Sequence, residues 1–137
     1  MSEVQLTWVK GGQFVGVDST KHSVVLSTGS DGTGAKPSDM LMIALAGCSA
    51  VDVVSILQKK RQALTGLEVS VEGQQDPEPP WAFNAIHLKY VLRGKGLSEK
   101  AIQQAIDLSE EKYCSVSATL RCVAKITHSF EIIEDTP

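Results

Sequence analysis

The sequence has few cysteines, few prolines and no long block of positive charge, and each shortage removes a class of protein. Its three cysteines, Cys48, Cys114 and Cys122, are odd in number and irregularly spaced. They cannot close the disulfide framework that staples small secreted domains, so reduced thiols in the cytoplasm are the expectation. Neither they nor His22, His87 and His128 offer a C-x-x-C or H-x-x-x-H pair, so no metal site is expected. The longest basic run is Lys59-Lys60-Arg61 and the net charge is -3. That argues against a nucleic-acid partner, whose binding would rest on clustered cations. The N-terminal Met-Ser-Glu-Val-Gln-Leu lacks the basic start and ~7–15-residue apolar core of a secretory signal. Five prolines and eleven glycines in 137 residues are too few for a disordered or fibrous chain.

What is present is an ordinary globular composition, 42% hydrophobic and 21% charged, in a length that suits one domain over residues 1–137. Residues 4–10 and 13–18 alternate about Gly11-Gly12, which predicts a hairpin, and residues 23–28 supply a third strand. The glycine-rich stretch 29–34 is a loop, after which Pro37 presets a helix with Ser38 as its N-cap and Asp39 in its first turn, continuing to about Gln62. Residues 67–72 and 83–92 alternate as strands around a proline-rich turn at 76–80. A second helix opens at Leu97-Ser98-Glu99, with an apolar stripe of Ala101, Ile102, Ala105, Ile106 and Leu108. A last strand covers residues 122–133. Strands in three groups separated by two helices predict an α+β domain with antiparallel strands.

The first helix is the unusual element. Residues 40–51 are apolar or small at every position, which predicts burial nearly all round rather than one wet face. The run stops at Asp52, short of the ~20 residues a membrane span needs, so no membrane partner is expected. A helix of ~24 residues would measure ~36 Å, about the full diameter, roughly 35 Å, of a domain this size. Its own chain cannot enclose it, and a second copy is expected. Cys48 sits near its middle between Gly47 and Ser49, where small neighbours let a backbone or ligand approach the sulfur. A free cysteine there is equally a small core hydrophobe.

Residues 37–57, with Pro37-Ser38-Asp39-Met40 at the start and Ala46-Gly47-Cys48-Ser49 in the middle, resemble the central helix of the OsmC/Ohr family. Residues 111–120, around Tyr113-Cys114-Ser115, resemble its second cysteine motif. With the Gly-Gly hairpin these blocks span nearly the whole chain. The resemblance implies an OsmC-like fold in an intertwined homodimer, with the long helices at its centre and each site drawing on both subunits. It also implies a cofactor-free thiol peroxidase of oxidative-stress defence that reduces organic hydroperoxides. Cys48 would be the peroxidatic residue, Cys114 the resolving one, and an external dithiol the reductant.

Family members with peroxidase chemistry carry an arginine after the Gly-Gly turn, where this sequence has Gln13. They also carry a glutamate ten residues before the cysteine, where it has Ser38, with Asp39 next. The pattern is nearer to the OsmC-like branch that begins the helix with an acidic residue. The alternative implied is a catalytically degenerate OsmC-like stress or ligand-binding protein.

Only a thiolate attacks a peroxide, and a thiol of pKa near 8.5 is a few per cent ionised at neutral pH. Burial would raise that pKa, and an ionised Asp52, one turn on, would raise it too. A compensating charge is expected from Arg121, Lys112, His87 or His128. Two-cysteine chemistry further requires the Cα atoms of Cys48 and Cys114 to come within about 7 Å. Asp39 reads as a helix cap and Gln13 as a polar residue beside the turn. Tyr113 and Trp81 read as packing residues or as the lining of an apolar pocket. Cys122 carries no further signal.

Overall fold

The computed structural model describes residues 1–136. These form two compact units, Met1–Leu41 and the chain from Met42 onward. In the first, β1 (Gln5–Lys10), β2 (Gln13–Val17) and β3 (Ser23–Ser27) make an antiparallel sheet in that order. Lys10 pairs with Gln13 across the two-residue turn, which Gly11 permits by taking a φ of +51°. After the loop, Ala35 bridges in parallel to Leu26, and α1 (Pro37–Lys59) begins. The Met40 N–H donates to the Lys36 carbonyl at 2.9 Å, so Lys36 holds the N-cap position. Ser38 lies inside the first turn instead of capping it, because Pro37 already has a helical φ and no N–H to satisfy.

The second unit contains most of α1, followed by β4 (Ala63–Gln75), β5 (Phe83–Lys95), α2 (Glu99–Leu108), a π-helical turn (Ser109–Tyr113), α3 (Ser115–Leu120) and β6 (Lys125–Glu134). Its sheet has the order β4-β5-β6. On the central strand Ile86, Leu88, Tyr90 and Leu92 alternate into the interior. Leu45, Val53 and Leu57 of α1 and Ala101, Ile102, Ala105 and Ile106 of α2 complete the same core. Ser98 caps α2, accepting from the Ala101 N–H at 3.2 Å.

Three expectations need correction. β6 pairs with β5 in parallel, not antiparallel, because α2, the π-helical turn and α3 together form the long crossover that parallel pairing requires. The last strand starts at Lys125, and Cys122 lies exposed in the turn before it; the unforeseen α3 uses up the intervening residues. Separately, and in line with a helix that its own chain cannot enclose, α1 is buried along one stripe only, Leu45, Ser49, Val53 and Leu57, while Ile43 and Val51 remain 55% and 70% exposed. Finally, α1 as a whole is long and apolar enough to cross a membrane by length and composition, with a mean hydropathy of 2.2. Val53, Val54, Ile56 and Leu57 carry the apolar run past Asp52.

Candidate active site

The crossover that makes β6 parallel also brings its cysteine to α1. The π-helical turn ends with the Cys114 N–H donating to the Ser109 carbonyl at 2.8 Å, five residues back. Such widened turns recur at functional sites because they re-aim one side chain without ending the helix. Cys114 then leaves helical geometry and caps α3, its Sγ accepting from the Ser117 N–H at 3.3 Å. The Cys114 thiol lies near enough to Cys48 on α1 for each to shift the other's proton affinity. All three cysteines are free.

The two thiols of the pair are polarised in opposite senses. Burial alone would push the Cys48 thiol up. Hydrogen bonds from the Cys114 thiol, the Val116 N–H and the Ser115 hydroxyl and N–H outweigh it, and together hold Cys48 below its ordinary value. Cys114 is only 2% exposed, and burial, its bond to Cys48 and the charge there push it up to about 11. The half-buried thiol is therefore the better anion, and the buried one keeps its proton and donates it. The start of α3 supplies polarity where a side-chain cation was expected.

The four candidate cations are engaged elsewhere. Arg121 Nη1 donates to the Glu110 carbonyl at 2.9 Å, and Lys112 lies 5.8 Å from the centre of the Tyr113 ring. The two nitrogens of His87 meet Thr127 and Ser129 at 2.7 and 2.9 Å. His128 pairs with Glu110 at 3.0 Å. Asp52 accepts the Ser109 hydroxyl at 2.9 Å, and that hydroxyl lies 3.4 Å from Ser49 Oγ. Ser49 in turn shares a short hydrogen bond with Tyr90, whose phenol burial pushes up to about 12. This run of hydroxyls pins α1, one residue past Cys48, to the turn that carries Cys114. The sequence reading missed it; the only prior signal was three hydroxyl residues at positions where apolar ones would fill the core.

Asp52, Ile56, Lys59, Leu108 and Tyr113 line an open groove of about 440 Å³, so Tyr113 contributes to a recess, whereas Trp81 stands exposed in the turn after β4. In the other unit, Gln13 lies beside Asp31, whose carboxyl is held below its ordinary value chiefly by the Thr33 hydroxyl, against the opposing effect of burial and with help from the Gln13 side chain and the Gly12 N–H. Asp39 lies in the first turn of α1. Among the described residues no group of three or more His, Cys, Asp or Glu is placed to hold a metal ion.

Comparison with known proteins fits this arrangement. Residues 29–129 match the OsmC-like protein family. Protein YhfA of Escherichia coli K12 is 38% identical over 131 residues, spanning 96% of this chain and 98% of its own length. The crystal structure of a hypothetical protein from Aquifex aeolicus VF5 superposes with a TM-score of 0.89 at 30% identity, covering 99% and 98% of the two chains. The organic hydroperoxide resistance protein OhrB of Bacillus subtilis shares the fold, with a TM-score of 0.63 at 15% identity over 96% and 98%. The α+β fold, the cysteine pair between its long helix and its crossover, and these matches together show that the chain belongs to the OsmC/Ohr family of OsmC-like proteins.

Proposed function

We propose that this protein is a cofactor-free thiol peroxidase that reduces organic hydroperoxides, with Cys48 as attacking thiolate and Cys114 as resolving thiol. The observation that carries the reading is the placement of two free thiols, Cys48 half-buried on α1 and Cys114 buried where the π-helical turn meets α3, with Cys48 held below and Cys114 pushed above an ordinary thiol. In the first step the Cys48 thiolate takes the distal peroxide oxygen, giving a sulfenic acid, and the alkoxide leaves as an alcohol after gaining a proton. In the second, Cys114 sulfur displaces that oxygen as water and a disulfide forms. An external dithiol of the reducing cytoplasm exchanges with the disulfide and restores both thiols.

The functional unit in this proposal is a homodimer in which residues 1–137 of each copy act as one OsmC-like domain. Ile43, Gly47 and Val51 follow one another at helical spacing on α1. The flanking residues are exposed, and a side chain at Gly47 would meet nothing within 4 Å in this chain. A glycine there costs an isolated helix about 1 kcal/mol; under a second helix it is the residue that lets two backbones approach. Leu6, Trp8 and Val25 of the first sheet are exposed as well.

Stopped-flow oxidation by cumene hydroperoxide tests the activity. Wild type should form the Cys48–Cys114 disulfide far faster than free cysteine reacts. Cys48→Ser should be inert, and Cys114→Ser should halt at the sulfenic acid. A wild-type rate no greater than that of free cysteine would support the second reading, a degenerate stress or ligand-binding protein. That reading draws on the neutral Gln13, beside Asp31, where peroxidase members carry a cation.

A further inference from the structure

The turn that delivers Cys114 is also held from its outer side, by a cluster that the thiol chemistry does not use. Glu110, second residue of the π-helical turn, places Oε1 3.0 Å from Nδ1 of His128 on β6. The other ring nitrogen lies 3.0 Å from Gln103 Nε2 and 3.8 Å from Asp107 Oδ1, both on α2. Gln103 itself donates to Asp107 at 2.9 Å. Arg121, at the end of α3, grips the Glu110 carbonyl. From β5 the neighbour in register is the apolar Leu88, while His87 and Lys89 alternate to the opposite face. The charged groups facing the imidazole are therefore Glu110 and Asp107.

The ring has two forms here, and they bind differently. Neutral, with its proton on Nδ1, it donates to Glu110 and accepts from the Gln103 amide. Protonated, Nε2 becomes a second donor, so the amide must turn its oxygen inward or the ring must reach Asp107, and the bond to Glu110 becomes a charge-assisted ion pair. The two side chains are 20% and 22% exposed, so solvent screens that pair incompletely. We infer that His128 is a positioning residue for disulfide closure: through Glu110 it clamps the π-helical turn, more firmly when protonated, and so holds Cys114 against Cys48.

The inference rests on the proposed chemistry for the step it modulates, in which Cys48 sulfenic acid and the Cys114 thiol give a disulfide and water. The Glu110 hydrogen bond, opposed by burial and aided by the charges of Glu110 and Asp107, raises the affinity of His128 for its proton. The charge-assisted part of the clamp is then fully engaged below the ordinary imidazole value and is lost as pH rises through the higher folded-state one, leaving the neutral hydrogen bond to Glu110.

The test compares closure in wild type, His128→Gln, Glu110→Gln and the double variant between about pH 5.5 and 8.5, the range in which an imidazole titrates. One equivalent of cumene hydroperoxide is used in one arm and diamide in the other. Diamide reaches the same disulfide without a sulfenic acid: one thiolate adds across its N=N bond, and the other thiol displaces the hydrazine. Thiolate content rises with pH in every variant, so the ratio of wild type to variant is read. It should be about tenfold or more at the acid end, the scale of a lost hydrogen bond to a charged group, and fall severalfold as His128 titrates to its neutral, still singly bonded form. Glu110→Gln should reproduce this without touching β6, and the double variant should add nothing. A ratio that does not change with pH overturns the clamp. Closure with diamide but not with hydroperoxide, the ratio intact, would overturn the peroxidase reading and leave the clamp standing.

Discussion

α1 and α2 contribute to one core, yet α2 comes far nearer to finishing its burial within the chain. Ala101, Ile102, Ala105 and Ile106 are all at or below 8% exposure, and of the expected stripe Leu108 alone, at the helix end, is left 38% exposed; between them Gln104 faces water and Gln103 turns to His128. α1 buries every fourth residue and leaves Ile43 and Val51 in the open with Gly47 between them. The difference teaches that amphipathicity measures how far one chain can satisfy a helix: α2 turns most of its apolar stripe into the core, whereas α1 keeps apolar residues on an open flank, where the proposed partner would sit. Its buried stripe carries Ser49 beside Cys48, so the same helix serves the core, the thiol pair and the proposed partner.

That contrast can be broken most severely at α1's open flank. Val51→Glu should cost the dimer about 2 kcal/mol or more of association, a thirtyfold or greater weakening, because a carboxylate would enter an apolar interface. Sedimentation should show monomers at concentrations where wild type is dimeric; an unchanged mass would mean the flank has no partner. On α2 the matching change acts on folding instead. Ile102→Ala should lose about 2–5 kcal/mol in denaturant titrations, and this variant-to-wild-type difference should not grow with dilution.

A smaller effect tests the link between α1 and the sheet. Tyr90→Phe removes the hydroxyl bonded to Ser49 and should cost about 1–2 kcal/mol in the same titrations, with slower thiol oxidation because α1 loses an anchor beside Cys48. Gly47→Ala sharpens the comparison by its sign. In a lone chain it should stabilise by up to about 1 kcal/mol through helix propensity, and in a close-packed dimer it should weaken association. Smallest is the thermal effect of His128: wild type should exceed His128→Gln in melting temperature at mildly acid pH, and the gap should close as pH rises through the raised folded-state value.

Much of this was legible beforehand because it depends on local pattern. The Gly11-Gly12 hairpin, the Pro37 helix start and the α2 stripe each follow from a few adjacent residues. The parallel β6, the π-helical turn and α3 did not, because each answers to tertiary demands. Parallel pairing shows no periodicity of its own, and residues 115–120 are small and polar enough to read as a loop. At the site the two cysteines were visible, but their polarisation was not. Sequence reasoning looked for a cation among Arg121, Lys112, His87 and His128, whereas the thiolate is favoured by Ser115 and Val116, donors next to the second cysteine. Two of these are backbone N–H groups, which a search for charged residue types passes over.

The most direct measurement is the pH dependence of iodoacetamide alkylation of the reduced protein, resolved by mass spectrometry to Cys48, Cys114 and Cys122. Cys48 should react as a thiolate at lower pH than an ordinary thiol, and Cys114 should titrate near 11. In Cys114→Ala, which removes one donor, the Cys48 curve should move to higher pH. A Cys48 that titrates no lower than an ordinary thiol, unmoved by the loss of Cys114, would contradict the account.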